Sequence, residues 1–424
     1  MKKEVVIVGG GIAGVQAAFM AREIDKGVGI TMVSDEPYQL YRRPAIPLLI
    51  YENIKLSDIE IYPMDYFERK KIKVLRNERA LKVNLKEKFL KTNKRKLRFD
   101  KLILATGGKA LKPNIAGIDK KGVFQIRSIE DALKIREFAK SGGKAIVIGA
   151  GFIGLMMGEA LFNRGMKVTV VEKLPQVLPA LFEPELSKVI QNNLEKKGIE
   201  FMLNATADEI YGGKKVSKVK VLESKLESSL VICATGVIPN LYLAEQIGLK
   251  LGRKAILVNG YCRTSIPDVY AAGDCTETLE YISKKISYIP VGSIAAMEGK
   301  ISGANAAGKL IKHKGMIRSQ NERIFNLDLV SMGLTFNEAK SLGIKPSTLD
   351  ITGKIFTDRK EGFEKAMSIL NSNNSIVGLQ IITRSYAHRY SIDFLKAIEN
   401  RINIEELLDK RYPFKTLLEI KHGS

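Results

Sequence analysis

Gly9, Gly11 and Gly14 form a G-x-G-x-x-G, and Gly149, Gly151 and Gly154 form a second with the same spacing. The chemistry open to such a triplet is the grip on a pyrophosphate. The first glycine permits a tight turn, and the second lets backbone N–H groups approach the anion. The third lets the next helix pack against the preceding strand. Each triplet is followed by an apolar segment that ends in acids: "GITMVSDE" carries Asp35 and Glu36, and "KVTVVEK" carries Glu172. A carboxylate at that place accepts hydrogen bonds from ribose hydroxyls. Two bound dinucleotides are the simplest account of the two patterns together.

Residues for other chemistries are scarce. The three cysteines, Cys233, Cys262 and Cys275, show no CxxC spacing. They cannot form a disulfide framework, and isolated cysteines of this kind behave as small hydrophobes. None of the three histidines pairs with a cysteine at metal-ligand spacing, so no metal site is expected.

The elements that must position the glycines are legible. "VVIVGGGIAGVQAA" and "AIVIGAGFIGLMMGEA" each read as strand, tight turn and helix. The dipole and free N–H groups at each helix start favour negative charge. "FDKLILATGG" (99–108) and "SLVICATGVIPN" (229–240) read as strands ending in Ala-Thr-Gly, one behind each copy. "RTSIPDVYAAGDCTE" (263–277) reads as a strand ending at Gly273-Asp274, and "GSIAAMEGKISGANAAGK" (292–309) as the helix that follows. Beyond about residue 320, "RIFNLDLVSMGLT" and "SIVGLQIIT" predict antiparallel strands, and "SIDFLKAIENRINIEELLDK" predicts helix. The expected fold is α/β: two Rossmann-like dinucleotide-binding domains plus a C-terminal α+β domain. The expected boundaries are 1–112 for the first part of domain one, 113–241 for domain two, 242–318 for the rest of domain one, and 319–424 for the last.

The chain has 424 residues and a formal charge of +22, which suits an acidic partner such as a nucleotide or an acidic electron carrier. The densest basic run, residues 86–99, predicts a solvated β-hairpin with a basic tip. No apolar run reaches the length of a membrane span. The opening "MKKEVVIV" mimics a signal peptide, but its continuation is spent on the glycine turn, so a cytoplasmic protein is expected.

Taken together, these motifs resemble the two-dinucleotide-fold flavoprotein oxidoreductases, the pyridine nucleotide–disulfide oxidoreductase superfamily. "ITMVSDEPYQLYRRPAI" is similar to the ferredoxin and rubredoxin reductase branch. "RIFNLDLVSMGLTFNEAKSLG" and "IVGLQIITRSYAHRYSIDFLKAIEN" are similar to the dimerisation domain of NADH oxidases and coenzyme A disulfide reductases. The resemblance implies FAD on the first motif, contacted by Gly9, Gly11, Ala13, Gly14, Asp35, Ala80, Thr106, Gly107, Arg127 and Asp274. Ser34 stands where the family commonly has glutamate, so the ribose contact passes to Asp35, with Glu36 as fallback. It implies a nicotinamide dinucleotide on the second motif, contacted by Gly149, Gly151, Ile153, Gly154, Glu172 and Gly236. Glu172 favours NADH over NADPH, because it would repel a 2′-phosphate; Lys173 could bind that phosphate, but alternation along the strand is expected to point it away from the pocket unless the strand has already ended.

The resemblance also implies residues that this chain lacks. Pro44 takes the place of the redox cysteine of the oxidase branch, and Leu48 that of a flavin-side lysine. Met156 takes the place of the glutamate that partners the lysine, and Phe152 that of an aromatic gate over the nicotinamide. Tyr412, with Glu419 downstream, replaces the histidine of the disulfide reductases. The expected activity is therefore FAD-dependent NAD(P)H oxidation without a redox cysteine, in a homodimer. The electrons would pass to oxygen or to a carrier such as ferredoxin or rubredoxin. Two other readings stay open: a flavoprotein with mainly a binding role, as in apoptosis-inducing-factor-like proteins, and an NADH:quinone reductase. A nucleic-acid partner is not expected.

Overall fold

The computed structural model describes residues 3–50, 54–63, 65–352, 363–384 and 391–409. The chain divides into two compact units: residues 1–42, 57–109 and 237–318 in one, and 43–56, 110–236 and 319–424 in the other.

The first unit is built on a parallel five-stranded sheet. Its centre is β1 (Glu4–Val8), flanked by β2 (Gly29–Val33) and the strand Lys101–Leu104. Val269–Ala271 and Lys73–Leu75 form the edges. Val5 to Val8 are buried on both faces, as a central parallel strand requires. Helix α1 (Ile12–Ile24) covers one face with Ala13, Ala17, Ala18 and Ala21. The basic run joins an antiparallel meander of Ala80–Asn84, Phe89–Thr92 and Lys96–Arg98. It thus forms the expected hairpin plus one strand, and part of its charge is spent on Asp268, which Lys88 and Lys101 both bridge.

The second unit repeats the design. β3 (Lys144–Ile148) lies between β4 (Lys167–Val171) and Leu230–Cys233 in a parallel five-stranded sheet, with α2 (Phe152–Asn163) following the turn. The same unit holds an antiparallel five-stranded sheet from residues 319–383, whose strands Leu327–Gly333 and Ile376–Thr383 are wholly buried. Although the sequence suggests a boundary at 319, buried polar contacts tie this sheet to the second fold. Gln380 Oε1 accepts the Glu183 N–H at 2.7 Å, Ser331 Oγ donates to Leu181 O at 2.7 Å, and Glu183 Oε1 accepts the Phe336 N–H at 2.8 Å. The helical C-terminal stretch is two helices, Ser391–Glu399 and Ile404–Leu408, broken at Arg401, whose φ is +53°. No helix among the described residues is long and apolar enough to cross a membrane.

Candidate dinucleotide sites

Both glycine turns have the geometry that their spacing demands. Gly9 has φ +122°, and a Cβ there would stand 2.0 Å from Ala105 O. Gly149 has φ +105°, and its Cβ would stand 2.5 Å from Ala234 O. No other residue type fits either place. Gly14 and Gly154 are excluded from substitution in the same way, by Gly9 O at 2.0 Å and Gly149 O at 1.9 Å. By contrast, a Cβ on Gly11 or Gly151 meets nothing. Each of these middle glycines caps its helix without a side-chain hydrogen bond and with no acid in the first turn. The result is an open cradle of helix-start N–H groups that fits a pyrophosphate in each unit.

In the first unit, further residues meet this cradle. Gly273 (φ +89°) brings the end of its strand to within 3.0 Å of the Ala13 Cβ, measured from its own ideal Cβ position. Asp274 follows directly and is half-buried. Gly107 (φ +62°) faces open space, while Thr106 Oγ1 donates to Asn240 O at 2.9 Å. Ser34 follows β2 in the register place that Glu172 occupies after β4, and it is buried. Asp35 is exposed, and Glu36 accepts a 2.6 Å hydrogen bond from Tyr41 Oη. Ala80 is half-buried at the start of the meander.

In the second unit, the turn opens on a cleft of about 460 Å3 lined by Gly149, Gly151, Glu172, Lys173, Thr235 and Gly236, among others. Glu172 is fixed by the backbone: its Oε2 accepts the Ala150 N–H at 2.8 Å and its Oε1 the Leu174 N–H at 2.9 Å. β4 ends at Val171, so strand alternation does not turn Lys173 away; it lines the cleft with Glu172. Gly236 (φ +118°) leaves open space, and Ile153 is exposed. Phe152 is buried and packs edge-on to Phe182 at 6.4 Å, the contact of a core aromatic.

Pro44 and Leu48 both lie exposed on the 3-10 segment Arg43–Ile50, which Arg43 anchors by donating to Arg127 O at 2.8 Å. This segment, Arg127 and the half-buried Met156 all belong to the second unit. Tyr412 and Glu419 lie outside the described residues. Burial pushes the thiols up, Cys233 to about 12 and Cys275 to about 11, with Cys262 well above its ordinary value. None is a thiolate at neutral pH.

One residue escaped the sequence reading. Glu298 is fully buried inside helix α3 (Gly292–Ala307) and supports the Gly273 turn through a 2.8 Å bond from Gly273 N–H. The available signal was the only acid in the glycine- and alanine-rich helix 292–307.

The family model for pyridine nucleotide-disulphide oxidoreductases matches residues 3–299. An NADH oxidase of Methanocaldococcus jannaschii is 35% identical over 98% of this chain and 96% of its own. An NADH-rubredoxin oxidoreductase of Clostridium acetobutylicum is 28% identical over 96% of this chain and 98% of its own. Among solved structures, an NAD-dependent persulfide reductase from A. fulgidus has a TM-score of 0.87 at 30% identity, covering 95% of this chain and 78% of its own.

Proposed function

Since the chain belongs to the pyridine nucleotide-disulphide oxidoreductase family, we propose that its first glycine turn holds FAD, its second holds NADH, and no cysteine takes part in the transfer between them. The enzyme is an FAD-dependent NADH oxidoreductase. The observation that carries the assignment of sites is the pair of open cradles at Gly11 and Gly151, each closed behind by glycines that admit no side chain. FAD, when bound, accepts a hydride and releases electrons singly or in pairs.

The chain's own residues bind and orient. Gly9 to Gly14 and the α1 start hold the FAD pyrophosphate, with Asp274, Thr106 and Gly107 along the same unit. Asp35, free of the burial that removes Ser34, takes the adenosine ribose. Gly149 to Gly154 hold the NADH pyrophosphate. Glu172 takes the ribose, and the two backbone N–H groups that fix it hold its carboxylate in one orientation. Fixing a ligand's two ends in this way supplies most of what the protein contributes to hydride transfer.

The deeply protonated cysteines support a reaction with no protein thiolate. The acceptor is oxygen or an acidic electron-carrier protein, the latter favoured by the charge of +22. The antiparallel sheet from residue 319 onward serves a homodimer. Stopped-flow mixing with NADH tests the reading. Rapid bleaching of the flavin followed by reoxidation with oxygen or a rubredoxin-type carrier supports it. Slow bleaching together with salt-sensitive DNA retention would move the protein to a binding role.

A further inference from the structure

Helix α3 lies directly against α1. A Cβ on Gly299 would stand 2.2 Å from Ala13 O, and one on Gly303 would stand 2.1 Å from Ala17 O. Glu298 is the neighbour of Gly299, so its carboxyl is sealed between the start of the phosphate-gripping helix and the Gly273–Asp274 turn. It has no exposed surface. Its Oε2 accepts the Gly273 N–H at 2.8 Å and lies 2.7 Å from Thr276 Oγ1, while its Oε1 has no partner at good hydrogen-bond geometry, although Thr278 lies near enough to favour the charged form.

The protons can be counted. Thr276 Oγ1 is also 2.7 Å from Gly273 O. A hydroxyl has one proton, and a carbonyl has none to give. In the charged form Thr276 Oγ1–H is shared between Gly273 O, which also accepts the Thr276 N–H at 2.9 Å, and Glu298 Oε2; a protonated Glu298 that donates to Thr276 leaves that hydroxyl to Gly273 O. The poorly partnered Oε1 favours the neutral form, since a buried carboxylate with one bare oxygen is costly and a neutral carboxyl much less so.

We propose that Glu298 is a positioning residue that exchanges a proton near neutral pH and, on losing it, loosens the first dinucleotide site's hold on its pyrophosphate. This rests on the reading of that site as the FAD site. A charge appearing beneath the cradle is a like charge to the pyrophosphate in a low-dielectric interior, and it repels. Burial, the largest influence, lifts the carboxyl to about 7, helped by Asp274 and opposed by Gly273 N–H, Thr276 and Thr278.

The other groups that face it do not titrate in its place. Cys262 and Cys275 are pushed up by burial and by Glu298 itself. α1 presents Ala13 and Ala17. His313 reaches Thr278 Oγ1 through Nε2 at 3.4 Å, and its Nδ1 accepts the Gly315 N–H at 3.1 Å, which assigns the ring proton to Nε2. Burial pushes His313 below its ordinary value, so it is neutral where Glu298 loses its proton.

The sign follows from linkage. A bound anion raises the pKa of a neighbouring acid, so binding takes up a proton. Affinity is highest below the free protein's pKa and falls as pH rises through it. The test dilutes holoenzyme at a series from about pH 6 to about pH 9, bracketing the buried acid, and reads released FAD by fluorescence. Wild type is expected to release several-fold more FAD at the alkaline end, and Glu298→Gln to show a flat profile at the wild type's acid-end retention. Infrared difference spectra of wild type, with no variant required, should show a protonated carboxyl band that disappears near neutrality. A flat wild-type release profile, an unchanged slope in Glu298→Gln, or no titrating carboxyl band overturns the proposal. A wild type that carries no flavin at any pH overturns the FAD reading instead.

Discussion

The two glycine turns are near copies in backbone and differ in what stands behind them. Gly11 and Gly151 cap their helices with almost the same dihedrals, φ −75° with ψ −177° and φ −73° with ψ 177°. After β4 the chain places Glu172, whose carboxylate is locked by two backbone N–H groups. After β2 it places Ser34, buried and uncharged, and the acids fall one and two residues later. Beneath the first turn lies a sealed carboxyl, Glu298; the buried face of α2 behind the second turn carries Leu155, Met157, Ala160 and Leu161. Near-identical cradles thus fit the same pyrophosphate chemistry, and the neighbouring side chains are what differ between them. A tightly kept prosthetic group and an exchanging substrate can share one turn, because the turn decides only the phosphate contact.

The largest effects come from the turns themselves. Gly9→Ala forces a Cβ into Ala105 O at 2.0 Å and should yield protein without flavin, read from the visible spectrum after purification. Gly149→Ala, at 2.5 Å from Ala234 O, should leave the protein yellow and raise KM for NADH about 5- to 150-fold, the scale of a lost 1–3 kcal/mol in a strained backbone. Loss of flavin from Gly149→Ala and its retention in Gly9→Ala would reverse the assignment of the two sites.

Next comes Glu172→Ala. It removes the proposed ribose acceptor and leaves two backbone donors unpaired, so kcat/KM for NADH should fall about 10- to 100-fold. NADPH should lose less, because Lys173 shares the cleft; an unchanged ratio of the two cofactors would remove Glu172 from the choice.

A smaller effect concerns the thiols. Cys275→Ala and Cys233→Ala should change kcat by less than about two-fold, since neither supplies a thiolate at neutral pH. New thiols appearing on NADH reduction, by titration, would restore a disulfide mechanism.

The smallest effect distinguishes the sheets' edges. Asp268 is held below the usual aspartate range first by hydrogen bonds from Lys101 and Lys88. Its stabilising contribution is present above the unfolded pKa of about 4 and is lost as pH falls through its lower folded value. Asp268→Asn should therefore lower Tm slightly at neutral pH and not at strongly acid pH. Glu227→Gln, in the exposed pair with Lys144 of the second sheet, should be nearly silent.

Much of this was legible before folding. The glycine triplets, the strands behind them, the Gly273-Asp274 strand end and the antiparallel C-terminal sheet are local patterns, and local patterns survive in a linear reading. The reading of Lys173 depended on where β4 stops, a one-residue matter that pattern does not resolve. Phe152 as a gate was an analogy, whereas its packing on Phe182 is a contact between separate segments.

The amino-acid sequence alone determined that two tight glycine turns form, because a glycine at positive φ against a backbone carbonyl is a requirement that residue type expresses directly. Only the tertiary structure decided that residues 43–56 and the C-terminal sheet count with the second fold, because compactness follows from contacts such as Glu183 with Gln380, far apart in the chain. It alone decided that Glu298 is enclosed, with burial pushing its carboxyl up to about 7. Protonation in an interior is set by which groups close around an acid and exclude water, and that enclosure has no counterpart in the order of the residues.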